Sequence, residues 1–422
     1  MDPITRIAAL GAAGAGGPKE YFADRLIYGS SVTGTDYAGT YGAYIDSSGN
    51  IYDAGWVDTS SPKRAFVMKR DPEGVIQWSR TLSDPNSAYN VRFSHMVSDG
   101  TYIYCGGYGS PALVAVYDMN GTLQWQKNYT NIVSVEFLDF DSSGNIFIGG
   151  RGGSTMDRSL CIIKLNSSGA VQWAKGYTYP NYPNGGYAPL YNRFQDLAVD
   201  TSGNVIASFR VNVGSGSYTA AGLVKLNNSG TRQWDHLFAP GLATNYGGSV
   251  DTDSNDNIYW AFVYDYTNYL VKYNPSGTSL INKSTPVLTY PYIDPDDNLW
   301  SLLDKFDANL DYLFARDSSN LLLERQAKRA GSDGIYFHSA TDTAGNVGWN
   351  AYLPDDGSLT GNWNWQPTWG SFYYTTATRT TSAGGTYSDV GTLYEASVTV
   401  TDSTATNTDA AETFTNDPYF IG

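Results

Sequence analysis

A short acidic turn motif returns about every fifty residues and limits the folds that this chain can adopt. The sequence DSSGN occupies residues 46–50 and is repeated unchanged at residues 141–145. The related copies end at Asn50, Thr101, Asn145, Asn204, Asn257, Asn298 and Asn346. Self-similarity at such a period indicates that each copy marks one supersecondary unit of a repeat protein.

A second motif alternates with the first and contributes a tryptophan to most copies. Segments of the type SGAVQW end at Trp78, Trp125, Trp173 and Trp234, and weaker copies occupy residues 275–281 and 318–324. Each unit therefore contains two different turns. The short segments between them predict four β-strands joined by hairpins, because Gly and Asn tolerate the backbone angles of tight turns.

These units predict an all-β fold, a β-propeller of about seven four-stranded blades. A β-sandwich would not repeat at this period, and a β-helix would repeat at roughly 20 residues. We assign residues 21–380 to the propeller. Residues 21–31 resemble a fourth strand, so we expect them to complete the last blade and close the ring, which removes two unpaired sheet edges. Residues 372–380 are an alternative source of a strand for that blade.

The two ends of the sequence differ from the ring in composition. Residues 1–20 are rich in Ala and Gly and predict a flexible or anchoring arm rather than a signal peptide, because their apolar stretch is only IAAL. Residues 381–422 are rich in Thr, Ser and Asp and have few large apolar side chains. Such a segment cannot bury enough surface to fold alone, so we expect an extended assembly segment that pairs with another chain.

The charge of the chain argues against two classes of partner. A formal net charge of −15 repels the phosphates of nucleic acids and of anionic lipids. No apolar run reaches the ~18 residues that a membrane span requires. Cys105 and Cys161 lie in apolar runs and are expected to be buried free thiols, with a single disulfide left as the alternative.

The residues show no motif of a known catalytic or metal-binding type. His95, His236 and His338 lie outside any zinc-binding pattern. The regularly placed carboxylates belong to the first turn motif: Asp46, Asp141, Asp200 and Asp342. An aspartate at a turn accepts backbone N–H groups, which explains these residues without catalysis. We therefore expect no enzymatic activity, no catalytic residue and no cofactor.

Calcium is an alternative that the sequence leaves open. Asp251, Asp253 and Asn255 alternate as at the start of a calcium loop, but the sixth position lacks Gly and Phe262 stands at the twelfth, where such loops carry Glu. A second patch rich in oxygen ligands contains Asp304, Asp307, Asn309 and Asp311.

Two irregular aromatic segments predict exposed binding loops. Their candidate residues are Tyr177, Tyr179, Tyr182, Tyr187, Trp363, Trp365 and Trp369. Aromatic rings exposed on loops are suited to binding sugars or proteins. The tryptophans of the second motif are predicted instead to fill the space between neighbouring blades.

The leader ITRIAALGAAGAGGPKEYF, the blades with DSSGN and QW motifs, and the Thr/Ser/Asp-rich tail occur together in this chain. In this combination the chain resembles the propeller-repeat proteins of tailed bacteriophages, known as tail-fibre or virion structural proteins. The resemblance covers most of the chain. It implies a virion component, on the tail rather than the head, without a cofactor. Its two arms would bind other virion proteins, in a homo-oligomeric assembly.

Our main expectation is thus a non-enzymatic phage virion structural protein, a component of a tail fibre or tail appendage that serves assembly and host-surface attachment. A host-surface glycan would be its partner outside the virion. Several alternatives remain open: a head fibre or capsid decoration protein, a glycan-binding or glycan-degrading propeller, and a secreted bacterial propeller scaffold. The motifs separate these only in part, because secreted bacterial propellers share the blade signature.

Overall fold

The computed structural model describes a chain made of strands and tight turns. It describes the backbone of the strands given below, and both the backbone and the side chains of residues 41–57, 63–71, 75–83, 89–109, 111–152, 160–177, 193–211, 219–238, 248–286, 290–294, 296–301 and 304–313. Within this described part there is no helix that is long and apolar enough to cross a membrane.

The strands are short, as expected for a sequence rich in β-branched and aromatic residues. The first group is β1 (Tyr21–Tyr28), β2 (Tyr37–Ile45), β3 (Ile51–Asp58), β4 (Arg64–Arg70), β5 (Ile76–Ser83), β6 (Arg92–Ser98), β7 (Tyr102–Tyr108), β8 (Ala112–Asp118), β9 (Leu123–Tyr129), β10 (Ile132–Phe140), β11 (Ile146–Gly152), β12 (Leu160–Leu165), β13 (Val171–Thr178), β14 (Arg193–Val199), β15 (Val205–Asn212), β16 (Thr219–Leu226) and β17 (Arg232–Phe238). The second group is β18 (Tyr246–Thr252), β19 (Ile258–Tyr264), β20 (Thr267–Tyr273), β21 (Ser279–Thr285), β22 (Pro291–Ile293), β23 (Leu299–Ser301), β24 (Asp304–Phe306), β25 (Tyr312–Ser319), β26 (Arg325–Gln326), β27 (Gly334–Ser339), β28 (Trp349–Pro354), β29 (Gly361–Asn364), β30 (Ser371–Ala377), β31 (Ser382–Ala383), β32 (Tyr394–Ser397), β33 (Asp402–Thr404), β34 (Thr408–Ala411) and β35 (Phe414–Ile421).

The strands form seven antiparallel sheets, which we call blades. Blades 1 to 6 each take four consecutive strands, from β2–β5 in blade 1 to β22–β25 in blade 6, and blade 7 has the order β26-β27-β28-β1. The first strands of blades 1 to 6 contact one another in succession, and β2 of blade 1 contacts β26 and β27 of blade 7. This arrangement confirms the predicted all-β propeller.

In blades 1 to 6, both turn motifs lie on the same side of the ring. In the first motifs of blades 1, 3, 4, 5 and 6, the residue at the glycine position donates its N–H to the carbonyl of the motif aspartate, as Gly49 does to Asp46 (2.9 Å). Ile146 pairs with Leu165, so the second turn of blade 3 lies beside its first turn. We call this side the turn face. The opposite side, the loop face, carries the connections between blades and those between the second and third strands.

The apolar core lies between successive blades rather than inside one layer. Separate clusters join blade 1 to blade 2, blade 2 to blade 3, and so on to blade 6. Near the axis the blades approach closely, and a Cβ built on Gly149 of blade 3 would lie 2.8 Å from the ring of Phe194 in blade 4. Cys105 and Cys161 lie in this core as buried free thiols, which confirms the prediction for them.

The tryptophan of the second motif bridges two blades near the rim. The Trp78 indole packs on Gly121, in the second turn of the next blade, and its N–H donates to the Met119 carbonyl (3.3 Å). The same contact recurs between Trp125 and Gly169, between Trp173 and Gly230, and between Trp234 and Gly277. The indole therefore fills the space between blades, and the glycine leaves room for it.

In the later blades, where the second motif is weaker, other residues make the contact that tryptophan and glycine make elsewhere. In blade 5, Ile281 stands where the tryptophan would be. In blade 6, the second turn is formed by residues 307–311 rather than by the predicted copy at 318–324, which begins at the end of β25, and Leu310 stands where the glycine would be. These two side chains belong to one apolar cluster. Leu310 adopts the left-handed backbone angle of the glycine that it replaces (φ 62°). A smaller residue facing a larger one thus restores the contact.

The first motif shows a similar exchange. Asp256 and Asp297 replace its glycine in blades 5 and 6 and have φ of 61°, an angle that Asp tolerates better than most residues. Each carboxylate reaches back to the turn of the preceding blade. Asp256 accepts the Thr201 N–H (2.8 Å), and Asp297 accepts the Ser254 N–H (2.8 Å).

The C-terminal strands β30 to β35 run around the outside of the ring as a belt. In chain order they pair with the outer strands of blades 6, 5, 3, 2, 1 and 7. The shortest, β31, pairs through two residues, whereas β35 pairs with β1 along its whole length, with Tyr21 opposite Ile421. In the described part of the chain, blade 4 alone has no belt strand.

The belt replaces the expected pairing of residues 381–422 with another chain. That expectation considered only the small apolar content of the segment. In the structure, the backbone of this segment forms antiparallel ladders with the outer strands of the chain's own blades. Strand β1 lies between β28 and β35 in blade 7, while residues 372–377, the alternative for that blade, belong to β30 in blade 6. Residues 1–20 lie outside the described part.

The contact between Trp125 and Gly169 predicts unequal effects of alanine at two glycines of blade 3. Gly169 and Gly144 both have positive φ (78° and 74°), so alanine costs about 1–2 kcal/mol at either position. Only at Gly169 would the new Cβ overlap an indole, at 2.7 Å, whereas at Gly144 the nearest atom is at 3.7 Å. Overpacking should add about 1–3 kcal/mol to the destabilisation by Gly169→Ala.

The free energy of unfolding of both variants, measured with chemical denaturant, checks this prediction. Equal destabilisation by Gly169→Ala and Gly144→Ala would show that the indole gives no steric support to the turn.

Candidate functional site: the central channel

The first strands of blades 1 to 6 surround a cavity of about 820 Å³ on the ring axis. A cavity of this size falls within the range of small-molecule and oligosaccharide sites. Its lining combines aromatic, amide, hydroxyl and charged side chains. The channel is therefore the candidate functional site.

A β-bulge recurs at the same place in the first strand of five blades. The register shifts between Thr40 and Gly42, Phe93 and His95, Val135 and Phe137, Phe194 and Asp196, and Gly247 and Val250. A bulge leaves a residue unpaired and re-aims its side chain. The unpaired positions include Tyr41, Ser94, Glu136, Gln195 and Ser249, and all of these line the cavity. One backbone device thus presents different side chains around one channel.

Other channel side chains join the first strands of neighbouring blades. A first strand has no neighbour on its axial side, so its N–H groups there need acceptors. The donors and acceptors are Leu138 N to His95 Nδ1 (3.3 Å), Phe194 N to Glu136 Oε2 (3.1 Å), Val199 N to Asp139 Oδ2 (2.9 Å), Val250 N to Asp196 Oδ2 (3.1 Å) and Ile293 N to Asp251 Oδ2 (2.9 Å). Each acceptor belongs to the blade before its donor.

Asp196 shows how fully such a carboxylate is occupied. One oxygen accepts the Leu197 N–H (2.9 Å), and the other accepts the Val250 N–H and the Ser249 hydroxyl. Burial outweighs these hydrogen bonds and raises the pKa of Asp196 to about 6. His95 is also fixed, because accepting at Nδ1 places the proton of the neutral ring on Nε2.

A cationic group lies at the loop-face end of the channel. Arg193 begins β14, and Arg151 pairs with Ser134 at the end of the β10–β11 ladder that lies away from the turn. Both line the cavity with Glu136. Burial raises the pKa of Glu136, against the opposing effects of Arg151, the Phe194 N–H and Arg193. Asp139 and Asp251 stand near the turn face, so the channel changes charge along its length.

The turn aspartates proposed from the sequence lie outside the channel wall and bind their own turns. Asp46 Oδ1 accepts the N–H groups of Ser48 and Asn50 (both 2.9 Å), and Oδ2 accepts the Asn50 amide (2.8 Å). Asp141 and Asp200 have the same backbone contacts. Lys225 adds a buried ion pair to Asp200 (2.8 Å). Asp342 lies outside the described residues.

The calcium candidates do not converge on one point. Asp251 accepts the Ile293 N–H across the blade interface, whereas Asp253 accepts the N–H groups of Asn255 (3.0 Å) and Asn257 (2.9 Å) in its own turn. In the second patch, Asp307 binds its own turn and Asp311 pairs with Lys283 (3.1 Å). No group of three or more His, Cys, Asp or Glu among the described residues is arranged to hold a metal ion.

The proposed aromatic binding loop is wrong for Tyr177. This residue pairs with Leu160 in the β12–β13 ladder and is buried in the core between blades 3 and 4, so it continues a strand rather than beginning a loop. Trp363 lies in strand β29, opposite Phe372, rather than in a loop. Tyr179, Tyr182, Tyr187, Trp365 and Trp369 lie outside the described residues.

The channel residues Glu136, Asp196, Arg151 and Arg193 were not predicted from the sequence. A signal for the acids was available, since polar residues precede the motif aspartate by two, four or five positions within otherwise apolar first strands, as in VEFLDFD and RFQDLAVD. The arginines had no such signal, because their place at the channel depends on how neighbouring blades meet.

Known proteins resemble this chain only distantly. No family model matches the chain, and no curated protein matches its sequence. Among solved structures, virginiamycin B lyase from Staphylococcus aureus is 11% identical with a TM-score of 0.45, covering 79% of this chain and 99% of that one. An ulvan lyase is 10% identical with a TM-score of 0.46, covering 78% and 96%.

Regucalcin from Agrobacterium tumefaciens, a calcium-binding protein, is 12% identical with a TM-score of 0.36, covering 79% of this chain and 94% of that one. Identities of 10–12% with TM-scores below 0.5 define neither a family nor a function for this chain. The protein is an all-β propeller, and its function has to be argued from its own residues.

The buried position of Asp196 predicts an unusual dependence of stability on pH. Its pKa in the folded state exceeds the ordinary value of 3.8, so the folded protein binds this proton more tightly than the unfolded chain. Its contribution to stability is fully present below pH 4 and is lost as the pH rises through about 6. Two pKa units correspond to about 3 kcal/mol, and channel solvent should reduce this to about 1–2 kcal/mol.

The free energy of unfolding of wild type and of Asp196→Asn, measured at pH 4 and pH 7, checks this direction. The difference in stability in favour of wild type should be smaller at pH 7 than at pH 4. Asp253→Asn is the matched control. Burial alone would raise the pKa of Asp253, but hydrogen bonds from Asn257 and Asn255 lower it. The difference in stability between wild type and Asp253→Asn should therefore not decrease between pH 4 and pH 7. An advantage of Asp196 that grows with pH would contradict its raised pKa.

Proposed function

We propose that this protein is a non-catalytic propeller that binds a glycan in its central channel and serves in surface attachment. The observation that carries the proposal is the recurring bulge. A constant backbone feature presents Tyr41, Ser94, Glu136, Gln195 and Ser249 to one cavity. Hydroxyl, amide and carboxylate groups beside an aromatic ring match the alternation of polar edges and apolar faces on a sugar.

The hydrogen bonds between blades favour binding over hydrolysis. A glycosidase needs two carboxyl groups that are available to the sugar as acid and as nucleophile or base. Here Asp139, Asp196 and Asp251 accept N–H groups of the next blade, and Glu136 does the same. Turning any of them toward a sugar would leave a buried N–H group without its acceptor, at a cost of about 1–3 kcal/mol.

Substitution of Tyr41 tests the proposed channel site. Tyr41→Ala removes the ring from the cavity and should weaken binding of a glycan selected on an array by roughly tenfold, which corresponds to about 1.4 kcal/mol. The matched control is Tyr266→Ala, which removes an exposed ring from the β19–β20 turn on the loop face, outside the channel. Calorimetric titration of both variants gives the affinities, with thermal unfolding as the check on folding.

Failure of wild type to bind any glycan would overturn the proposed function, and equal weakening by Tyr41→Ala and Tyr266→Ala would overturn the channel as its site. An increase in reducing ends or unsaturated sugars during incubation with the bound glycan would overturn the non-catalytic part.

We further propose that the attachment is that of a phage virion, as a tail-fibre or tail-appendage component. Two observations support this second proposal: the combined leader, ring and tail that resemble phage propeller proteins, and the belt. One segment of chain pairs with the outer strands of six of the seven blades, so these blades cannot separate without breaking several ladders. Such a ring suits a particle exposed outside the cell.

Mass spectrometry of virions purified from a phage that encodes this chain tests the second proposal. The chain should be present, and antibody labelling should place it on the tail. Labelling of the head would favour a head fibre or decoration protein instead. Absence of the chain from virions would overturn the proposal and favour a secreted scaffold.

A further inference from the structure

The loop-face mouth of the channel carries positive charge on a protein that is acidic as a whole. The formal net charge of the chain is −15. At the mouth, however, the described lining residues include two guanidinium groups, those of Arg151 and Arg193, together with the carboxylate of Glu136. With Glu136 ionised, the group has a net charge of +1. The low-dielectric walls of a cleft strengthen such a local charge.

The two arginines differ from the acids of the channel in their contacts. Each acid accepts a hydrogen bond that joins two blades, whereas neither guanidinium has an ion-pair partner within 4 Å among the described residues. Arg193 is exposed at the mouth and Arg151 is partly exposed. Their N–H donors therefore face the cavity and its solvent, although Glu136 lies within electrostatic reach of both.

The backbone fixes the positions of the three groups. Glu136 is the bulge residue of β10, and its Oε2 holds the Phe194 N–H, so it sets Arg193, the residue before Phe194, beside blade 3. Arg151 is set by its pairing with Ser134, two residues before Glu136. Guanidinium groups bind carboxylates and sulfates through paired N–H donors, and a site held in place loses little entropy on binding.

We propose that Arg151 and Arg193 bind the anionic group of an acidic glycan, a carboxylate or a sulfate ester, at the loop-face mouth of the channel. This inference rests on the proposed glycan-binding function and names the class of sugar. Glu136 is a positioning residue: it holds the mouth together, and its charge limits the attraction to anions. The acids toward the turn face repel the anion and thereby set the direction in which the glycan enters.

The test compares three probes on the full chain by calorimetric titration: trigalacturonate, its neutral methyl ester, and a sulfated galactose trisaccharide. Wild type should bind one or both anionic probes at least tenfold more tightly than the ester. Arg193→Gln and Arg151→Gln should each remove most of that preference, with a much larger loss of affinity for the anionic probe than for the ester. Whichever anionic probe loses affinity identifies the group as carboxylate or sulfate.

Two further variants separate a specific site from general charge. Arg232→Gln removes one positive charge from blade 4 outside the channel and should leave the preference for anions intact. Glu136→Gln keeps an oxygen to accept the Phe194 N–H but removes the negative charge, so the affinity for the anionic probe should rise severalfold. Unchanged or weaker anion binding by Glu136→Gln would overturn its assigned role.

Different experimental results would contradict the anion site and the glycan-binding function. If the ester binds as tightly as trigalacturonate and the sulfated probe, and Tyr41→Ala still weakens all three, the channel binds glycans but the anion site is wrong. If the anionic probes are preferred and neither arginine variant changes that preference, the anion site is likewise wrong. If neither these probes nor any glycan on the array binds, the proposed function itself fails.

Discussion

The unpaired edges of its sheets are the constraint on which the rest of this structure depends. Each blade has an axial edge and an outer edge, and each edge exposes N–H and carbonyl groups that need partners. At the axis, side chains such as Asp196 and Asp251 accept the N–H groups of the next blade. At the rim, the belt supplies whole strands. The ring is therefore held by two different solutions to one problem, one made by side chains and one by backbone.

Much of this fold follows from local sequence. The turn motifs determine where hairpins form, because the third position after Asp46 and its equivalents requires glycine or a tolerant residue such as Asp256. The belt could not be predicted from the sequence, because residues 381–422 lack the apolar pattern by which strands are recognised. These strands are stabilised by pairing with sheet edges elsewhere in the chain. The channel did not follow either. Its acids are visible in the first strands, but the meeting of Glu136 with Arg193 depends on the packing of two blades.

The repeat also explains how a site can vary without disturbing its framework. The hydrogen bonds of each hairpin are made by backbone and by turn aspartates, so the bulge residue is free to be Tyr41 in one blade and Gln195 in another. The later blades show a second freedom, in which Ile281 and Leu310 replace an indole and a glycine together. Divergence of the motif along the chain is thus a poor measure of change in the structure, since a contact can persist when the residues that make it differ.

The pairing of β1 with β35 gives the ring a mechanical polarity. Because β1 occupies the place of a fourth strand, it runs from the turn face to the loop face, and its first residue, Tyr21, lies beside Ile421. A tether attached before Tyr21 or after Ile421 therefore leaves from the face opposite Arg151 and Arg193. Tension between such a tether and a molecule held at the channel mouth would act along β1, so the bonds to β28 and β35 would resist in shear, all at once, rather than opening one after another.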